Sequence, residues 1–185
     1  MSTILSELKD IKEPVHVENA GVVLVYPFLN MLFRRLGLTA EDPYKLTNKE
    51  AQLKAIFAIQ YIVYGDDKTK FREEELFLNK IIVNWGDGPL PAEYKLEDSD
   101  KKLINDMLDA VKNNWQKMRG TAVMTFRIAF LQRPGLIKPS NDEHLVFLDV
   151  EEKPYDLLFE SLPWSIAYSR IFNSDKRFQI KWRNL

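Results

Sequence analysis

Apolar residues recur at helical spacing through the first two thirds of the chain and at a two-residue spacing near its end. The first dense stretch covers residues 20–36, where apolar side chains return every three or four positions and Gly37 follows as a C-cap. Pro27 lies inside it, so the predicted helix kinks there or begins near Tyr26. A helix that is apolar nearly all round is typical of a buried element.

Four further helices are predicted before residue 134. Thr47 and Glu50 have the spacing of a capping box, and Gly65 follows the apolar run that they introduce. Ser99 is the predicted N-cap of a later helix, whose first turn is acidic as the helix dipole favours. The remaining helices are predicted over residues 76–85, 99–118 and 121–131. The segment Gly86-Asp87-Gly88-Pro89 is interpreted as a turn.

The hydrophobic period changes after residue 134. Residues 144–150 have the composition of a strand, with Leu145, Phe147 and Asp149 on one face and Val146, Leu148 and Val150 on the other. Two more strands are predicted over residues 166–172 and 178–182, joined by a turn at 173–175. Residues 135–138 are a candidate edge strand, and residues 155–162 are a predicted short helix.

This order of elements predicts an α+β fold: a bundle of about four to five helices, then a small antiparallel sheet of three to four strands with one short helix. Residues 1–18 are predicted to be a lead-in, loose or in a short helix. Residues 19–185 are predicted to be a single domain, helical over about 19–133 and mainly β over about 134–185.

Composition supports a packed core and excludes several functions. Of 185 residues, 45% are hydrophobic and 12% are aromatic, which suffices for a core without disulfides. The net charge is −1 and no basic stripe is evident, whereas nucleic-acid binders need a basic surface. Cysteine is absent, and no segment approaches the ~20 apolar residues of a membrane span. The N-terminus lacks the pattern of a secretion signal, so cytoplasmic synthesis is expected.

No motif in the sequence carries recognisable catalytic chemistry. His16 and His144 lack the spaced partners of a triad or a zinc site, and the acidic pairs lie in polar runs. We therefore expect no enzyme activity and no catalytic, cofactor-binding or metal-binding residue. One enzymatic alternative stays open, namely an unrecognised site among Asp149, Glu151, Glu152 and Arg133.

Some polar and aromatic residues interrupt apolar elements and are candidate interface positions. The pair at 79–80 breaks an apolar helix, which indicates an exposed edge. A second helix stops at a polar pair near residue 132, and a tryptophan follows a proline at 163. The segments near residues 132 and 163 are each a packed corner or an interface hot spot, and Trp and Arg are enriched at hot spots. The candidates are Asn79, Lys80, Gln132, Arg133, Pro134, Trp164 and Trp182.

A series of segments, in this order, resembles the contractile injection system tape measure protein family. They are residues 18–24, 26–29, 32–33, 36–38, 59–65, 75–80, 130–135, 152–156, 162–165 and 180–182. The resemblance implies a component of phage-tail-like contractile particles, in which the extended part of the family sets tube and sheath length. The matched region resembles the family's globular portion, which is usually C-terminal.

The length of the chain bears on the role within such a particle. Even as one helix, the whole chain would reach only about 280 Å, and its short elements predict a compact shape instead. We therefore expect a docking module, from a longer ruler or a short relative, that binds the tube, the baseplate hub or spike, or another copy of itself. The alternative is a stand-alone adaptor or chaperone-like interaction protein outside the particle.

Overall fold

A computed structural model describes residues 3–86, 88–138 and 140–182. The α-helices are α1 (Ile4–Glu7), α2 (Leu29–Arg35), α3 (Lys49–Tyr64), α4 (Phe77–Ile82), α5 (Asp98–Asn114) and α6 (Val123–Phe126). Segments of 3-10 helix lie at Leu8–Asp10, Ala20–Phe28, Glu73–Leu76, Gln116–Met118 and Pro154–Ser161, and a π-helix covers Arg127–Leu131. The strands are β1 (Val15–Val17), β2 (Gly135–Lys138), β3 (Leu145–Val150), β4 (Tyr168–Arg170) and β5 (Arg177–Lys181).

The fold is mixed α+β, and its sheet differs from the prediction. The described residues form five strands in the order β1-β2-β3-β5-β4, and the β3–β5 pair is parallel. A purely antiparallel sheet of three to four strands was therefore wrong. The chain reaches β5 only after the 3-10 helix at Pro154–Ser161 and β4, so β5 enters the sheet in the same direction as β3.

The first strand arises in the predicted lead-in. Val15 pairs with Ile137 and Val17 pairs with Gly135, so β2 is an interior strand and the prediction of an edge strand there was wrong. A three-residue strand is too short to show an alternating pattern in the sequence. The division into a lead-in and a single domain stays a prediction.

The predicted helices lie at the right positions, but the predicted number of four to five and several boundaries were wrong, since the described residues form six α-helices. Pro27 lies in a 3-10 helix, and the α-helix begins only at Leu29, because proline has no N–H to donate in an α-helix interior. The N-cap of α3 is Asn48, whose Oδ1 accepts from the Ala51 N–H at 2.8 Å, rather than Thr47. Ser99 lies inside the first turn of α5, which begins at Asp98.

Other sequence predictions are confirmed. Side chains alternate between half-buried and buried along β3, and Gly65 caps α3 with a φ of 63°. The turn at 173–175 joins β4 to β5 as an antiparallel hairpin. The strand predicted over 166–172 is shorter, since only Tyr168–Arg170 pairs. Asp87 of the predicted glycine-proline turn lies outside the described residues.

The 3-10 helix at Ala20–Phe28 is the centre of the core, because it contacts α3, α5, the π-helix and the sheet. Its close approach to the π-helix requires glycine: a Cβ on Gly21 would lie 1.8 Å from the carbonyl oxygen of Phe130. Next to it, the Ala20 N–H donates to the carbonyl of Arg133 at 2.8 Å. The segment after the π-helix is thereby fixed against the middle of the molecule.

Candidate protein interface

The segment after the π-helix is held by a buried ion pair. Arg133 and Asp156 each have side chains only 1% exposed, and the guanidinium meets the carboxylate with N–O distances of 2.8 and 3.0 Å. Arg133 also donates to the carbonyls of Glu151 at 2.8 Å and Ala129 at 2.7 Å. A buried guanidinium is stable only when its donors are satisfied in this way.

The carboxylate of Asp156 has two further donors. The Lys153 N–H donates to it at 2.8 Å and the indole N–H of Trp182 at 3.1 Å. The guanidinium of Arg133 also lies 5.2 Å from the ring centroid of Trp182. We refer to Arg133, Asp156 and Trp182 as the Arg133 clamp, which joins the π-helix, the 3-10 helix at Pro154–Ser161 and the end of β5.

Asn79 also lies in the interior, so the expectation of an exposed edge at this position was wrong. Its side chain is 0% exposed and donates to the Ile56 carbonyl at 3.1 Å and to Gln60 Oε1 at 2.9 Å. It accepts from Asn19 Nδ2 at 2.8 Å. The polar residue is tolerated in an apolar helix because a buried network satisfies it. Its neighbour Lys80 is half-buried.

Three other candidates are half-buried, and each has a backbone partner. Trp164 Nε1 donates to the Leu24 carbonyl at 2.9 Å, and Gln132 Nε2 donates to the Val63 carbonyl at 3.2 Å. The carbonyl of Pro134 accepts from the Glu151 N–H at 2.9 Å. The candidates that keep surface for a partner are therefore Lys80, Gln132, Pro134 and Trp164, whereas Asn79, Arg133 and Trp182 are buried.

Exposed apolar side chains lie on α6, on the π-helix that follows it and on the 3-10 helix at Pro154–Ser161. They are Met124, Ile128, Tyr155 and Leu157, which we name the corner surface. Ile128 and Leu157 are 59% and 57% exposed, and the Tyr155 hydroxyl donates to the Ala129 carbonyl at 3.1 Å, which brings the last two of these segments together. The sequence did not identify these residues, because apolar positions on short helices show no periodicity that separates an exposed face from a buried one.

Three residues of the enzymatic alternative have other partners, and the fourth, Glu152, is exposed. Asp149 is paired with Lys138, and Arg133 belongs to the buried clamp. Glu151 accepts a hydrogen bond from Lys153, which holds the pKa of the carboxyl below its usual value. Within residues 3–86, 88–138 and 140–182, no group of three His, Cys, Asp or Glu side chains could hold a metal ion.

Among the described residues, none forms a helix with the length and apolar character that crossing a membrane requires.

Comparison with known protein families gives a match over most of the chain. The family model described as contractile injection system tape measure protein matches residues 4–182, which is nearly the whole chain. No curated protein and no solved structure matches the chain.

Proposed function

The chain belongs to the contractile injection system tape measure protein family, and from this premise we propose that it is a docking module. It binds the tube or the baseplate hub or spike while the particle assembles and its length is determined. Membership of the family makes the chain a structural component of such a system, and the docking partner is our proposal.

The corner surface is the observation that supports docking best. Apolar side chains more than half exposed, such as Ile128 and Leu157, lose water on binding and contribute to affinity roughly in proportion to the area that they bury. Tyr155 adds an aromatic ring of the kind enriched at interface hot spots. Self-association through the same surface is the second outcome that binding experiments must separate.

The buried clamp beneath the corner surface gives it a fixed shape. Arg133 donates to the backbone of Ala129 on one side and to the carboxylate of Asp156 on the other. A surface held in this way loses little conformational entropy on binding, which favours affinity. The half-buried candidates Gln132 and Pro134 lie in the same segment as Arg133, and we propose that they form part of the rim.

Binding to purified components tests the proposal. Tube, hub and spike proteins encoded beside this chain are titrated into the wild type, into Ile128→Glu and into Met31→Glu. Met31 is as exposed as Ile128 but belongs to α2, so it is a matched control. We expect at least one component to bind the wild type and Met31→Glu equally and Ile128→Glu about tenfold more weakly or worse. Absence of binding to every component, or equal binding by Ile128→Glu, would overturn the proposal.

Light scattering on the same samples separates docking from self-association. If the wild type alone forms oligomers that Ile128→Glu abolishes, and no component binds, the corner surface serves contacts between copies of the chain. That result would contradict docking on the tube or baseplate.

A further inference from the structure

A cavity separate from the corner surface lies beside α3. It has a volume of about 560 Å³ and lies between the C-terminal half of α3, residues 66–71 and residues 93–98. We name it the α3 cleft, and its principal lining residues are Phe57, Gln60, Tyr61, Phe71, Tyr94 and Lys101. Its size is in the range of sites that bind small ligands or peptide side chains.

Gln60 is a polar side chain at the buried side of the cleft, and the N–H group of its amide lacks an acceptor among the described residues. The residue is only 5% exposed, and its Oε1 accepts from Asn79 Nδ2 at 2.9 Å. No residue in the part of the chain that the structure describes accepts from its Nε2. Because this nitrogen lines the cleft and is not sealed from solvent, its N–H group can donate to an acceptor that enters the cleft.

The orientation of the Gln60 amide follows from its neighbours. Asn79 Nδ2 also donates to the carbonyl of Ile56 at 3.1 Å, and a carbonyl oxygen only accepts. Asn79 must therefore present its nitrogen to both partners, and the atom of Gln60 that meets it must be the oxygen. The Asn19 amide, which donates to Asn79 Oδ1 at 2.8 Å, is consistent with this assignment. The N–H donors of Gln60 are then left for the cleft.

The walls of the cleft are aromatic. The rings of Phe57 and Tyr94 stack with centroids 4.3 Å apart and planes 4° from parallel, and Phe71 lies 5.5 Å from Phe57. Burial raises the pKa of the Tyr94 phenol, and Asp100 and Glu97 raise it further, so this wall is uncharged at neutral pH. An apolar or aromatic side chain would pack against such walls.

Acidic residues outnumber basic residues at the rim of the cleft when those that form ion pairs within the chain are left out of the count. Lys101 pairs with Asp67 and Lys68 pairs with Glu75. The rim charges without an ion pair among the described residues are Asp66, Glu93, Asp98 and Lys95, three acidic and one basic. A ligand with positive charge on either side of an apolar group complements this rim.

We propose that the α3 cleft binds a short basic peptide segment of a partner protein. Its carbonyl oxygen accepts from Gln60 Nε2, its aromatic side chain packs against the half-buried rings of Tyr94 and Phe71, and its flanking Lys or Arg residues face the acidic rim. This site goes beyond the docking role assigned to the corner surface and does not depend on it, since the two share no residue.

Nuclear magnetic resonance with two defined peptides tests this site. Acetyl-Lys-Phe-Lys-amide is titrated into the labelled chain while the side-chain amide signal of Gln60 is followed, with acetyl-Glu-Phe-Glu-amide as the charge-reversed probe. We expect the basic peptide to shift the Gln60 signal with a Kd of about 1 mM or below. The acidic peptide should bind about tenfold more weakly because its charge repels the rim.

Variants on α3 supply the controls. Gln60→Met keeps the length of the side chain but removes its N–H donors, together with the oxygen that accepts from Asn79, and binding of the basic peptide should fall about tenfold. Gln52→Met removes a comparable amide elsewhere on α3, which donates to the carbonyls of Val83 and Asn84, and should leave binding unchanged. Tyr94→Leu removes one aromatic wall and should weaken binding while the Gln60 amide stays.

Several results would overturn the proposal. A Gln60 signal that does not move with the basic peptide means that the cleft holds only water. Equal affinity of wild type and Gln60→Met means that the amide is not part of a site. Equal affinity for uncharged acetyl-phenylalanine amide means that the cleft takes small aromatic molecules and not a basic peptide. None of these results bears on the corner surface, so the docking proposal is tested separately.

Discussion

The carboxylate of Asp156 accepts hydrogen bonds from both terminal nitrogens of Arg133, at 2.8 and 3.0 Å, and each of the two side chains is only 1% exposed. The two residues are 23 positions apart, and their pairing joins the end of the π-helix to the 3-10 helix before β4. Because both charges are removed from water, each is stable only while the other is present. The corner surface depends on this pairing for its shape.

Removal of one partner of the pair should therefore be costly. Asp156→Ala leaves the guanidinium of Arg133 buried and unpaired, and we expect the free energy of unfolding to fall by about 3–5 kcal/mol in urea denaturation. The control is Asp106→Ala, which breaks the exposed pair of Asp106 with Lys102 and should cost less than about 1 kcal/mol. A similar small loss of unfolding free energy in both variants would show that the buried ion pair contributes little to the stability of the fold.

The contact between the central 3-10 helix and the π-helix should tolerate no side chain at Gly21. In Gly21→Ala the added Cβ would overlap the Phe130 carbonyl, and both backbones are fixed by the core. We expect little soluble folded protein, as measured by circular dichroism. Gly120→Ala is the matched control, since nothing lies within 4 Å of its added Cβ, and it should fold normally. Native circular dichroism of Gly21→Ala would contradict this packing.

The hydroxyl of Tyr26 is a defect in the core whose removal should stabilise the protein. It is buried without a hydrogen-bond partner among the described residues, and burial raises the pKa of the phenol far above its ordinary value. Tyr26→Phe keeps the ring next to Phe172 and removes the desolvated hydroxyl. We expect a gain of about 1 kcal/mol in thermal or urea unfolding. A loss of stability would mean that the hydroxyl has a partner, such as buried water.

Replacement of Trp164 tests whether this residue is a packed corner or an interface anchor. Its ring is nearly perpendicular to that of Phe28, with centroids 5.0 Å apart, and its N–H donates to the Leu24 carbonyl. We expect Trp164→Ala to lower the free energy of unfolding by roughly 3 kcal/mol, below the value for a fully buried tryptophan because the ring is half-buried. Unchanged melting together with weaker partner binding would assign it to an interface instead.

The alternation along β3 and the glycine after α3 were predictable because they are local properties of the chain. The strand β1 was not, since its three residues form a strand only through pairing with β2, more than 100 positions later. The parallel pairing of β3 with β5 was equally unpredictable, because strand direction depends on the path of the connection and not on composition.

The burial of the candidate interface residues was equally unpredictable from the sequence. Arg133, Trp182 and Asn79 stood out in the sequence as polar or aromatic residues in unusual places, but these residue types also form buried networks. Their burial depends on partners such as Asp156 and Gln60, which are distant in the sequence. The exposed residues Ile128 and Leu157 did not stand out, because apolar residues on short helices suggest a core.

Incorporation into the particle tests the docking role most directly. Cells that make the contractile particle are given the wild-type chain, the double variant Ile128→Glu/Leu157→Glu, or Met31→Glu. The amount of chain in purified particles is then measured by mass spectrometry relative to the tube protein. We predict equal incorporation of the wild type and Met31→Glu, and at least about a tenfold loss for the double variant. Incorporation of the double variant at the wild-type level, or particles that lack the wild-type chain, would contradict the account.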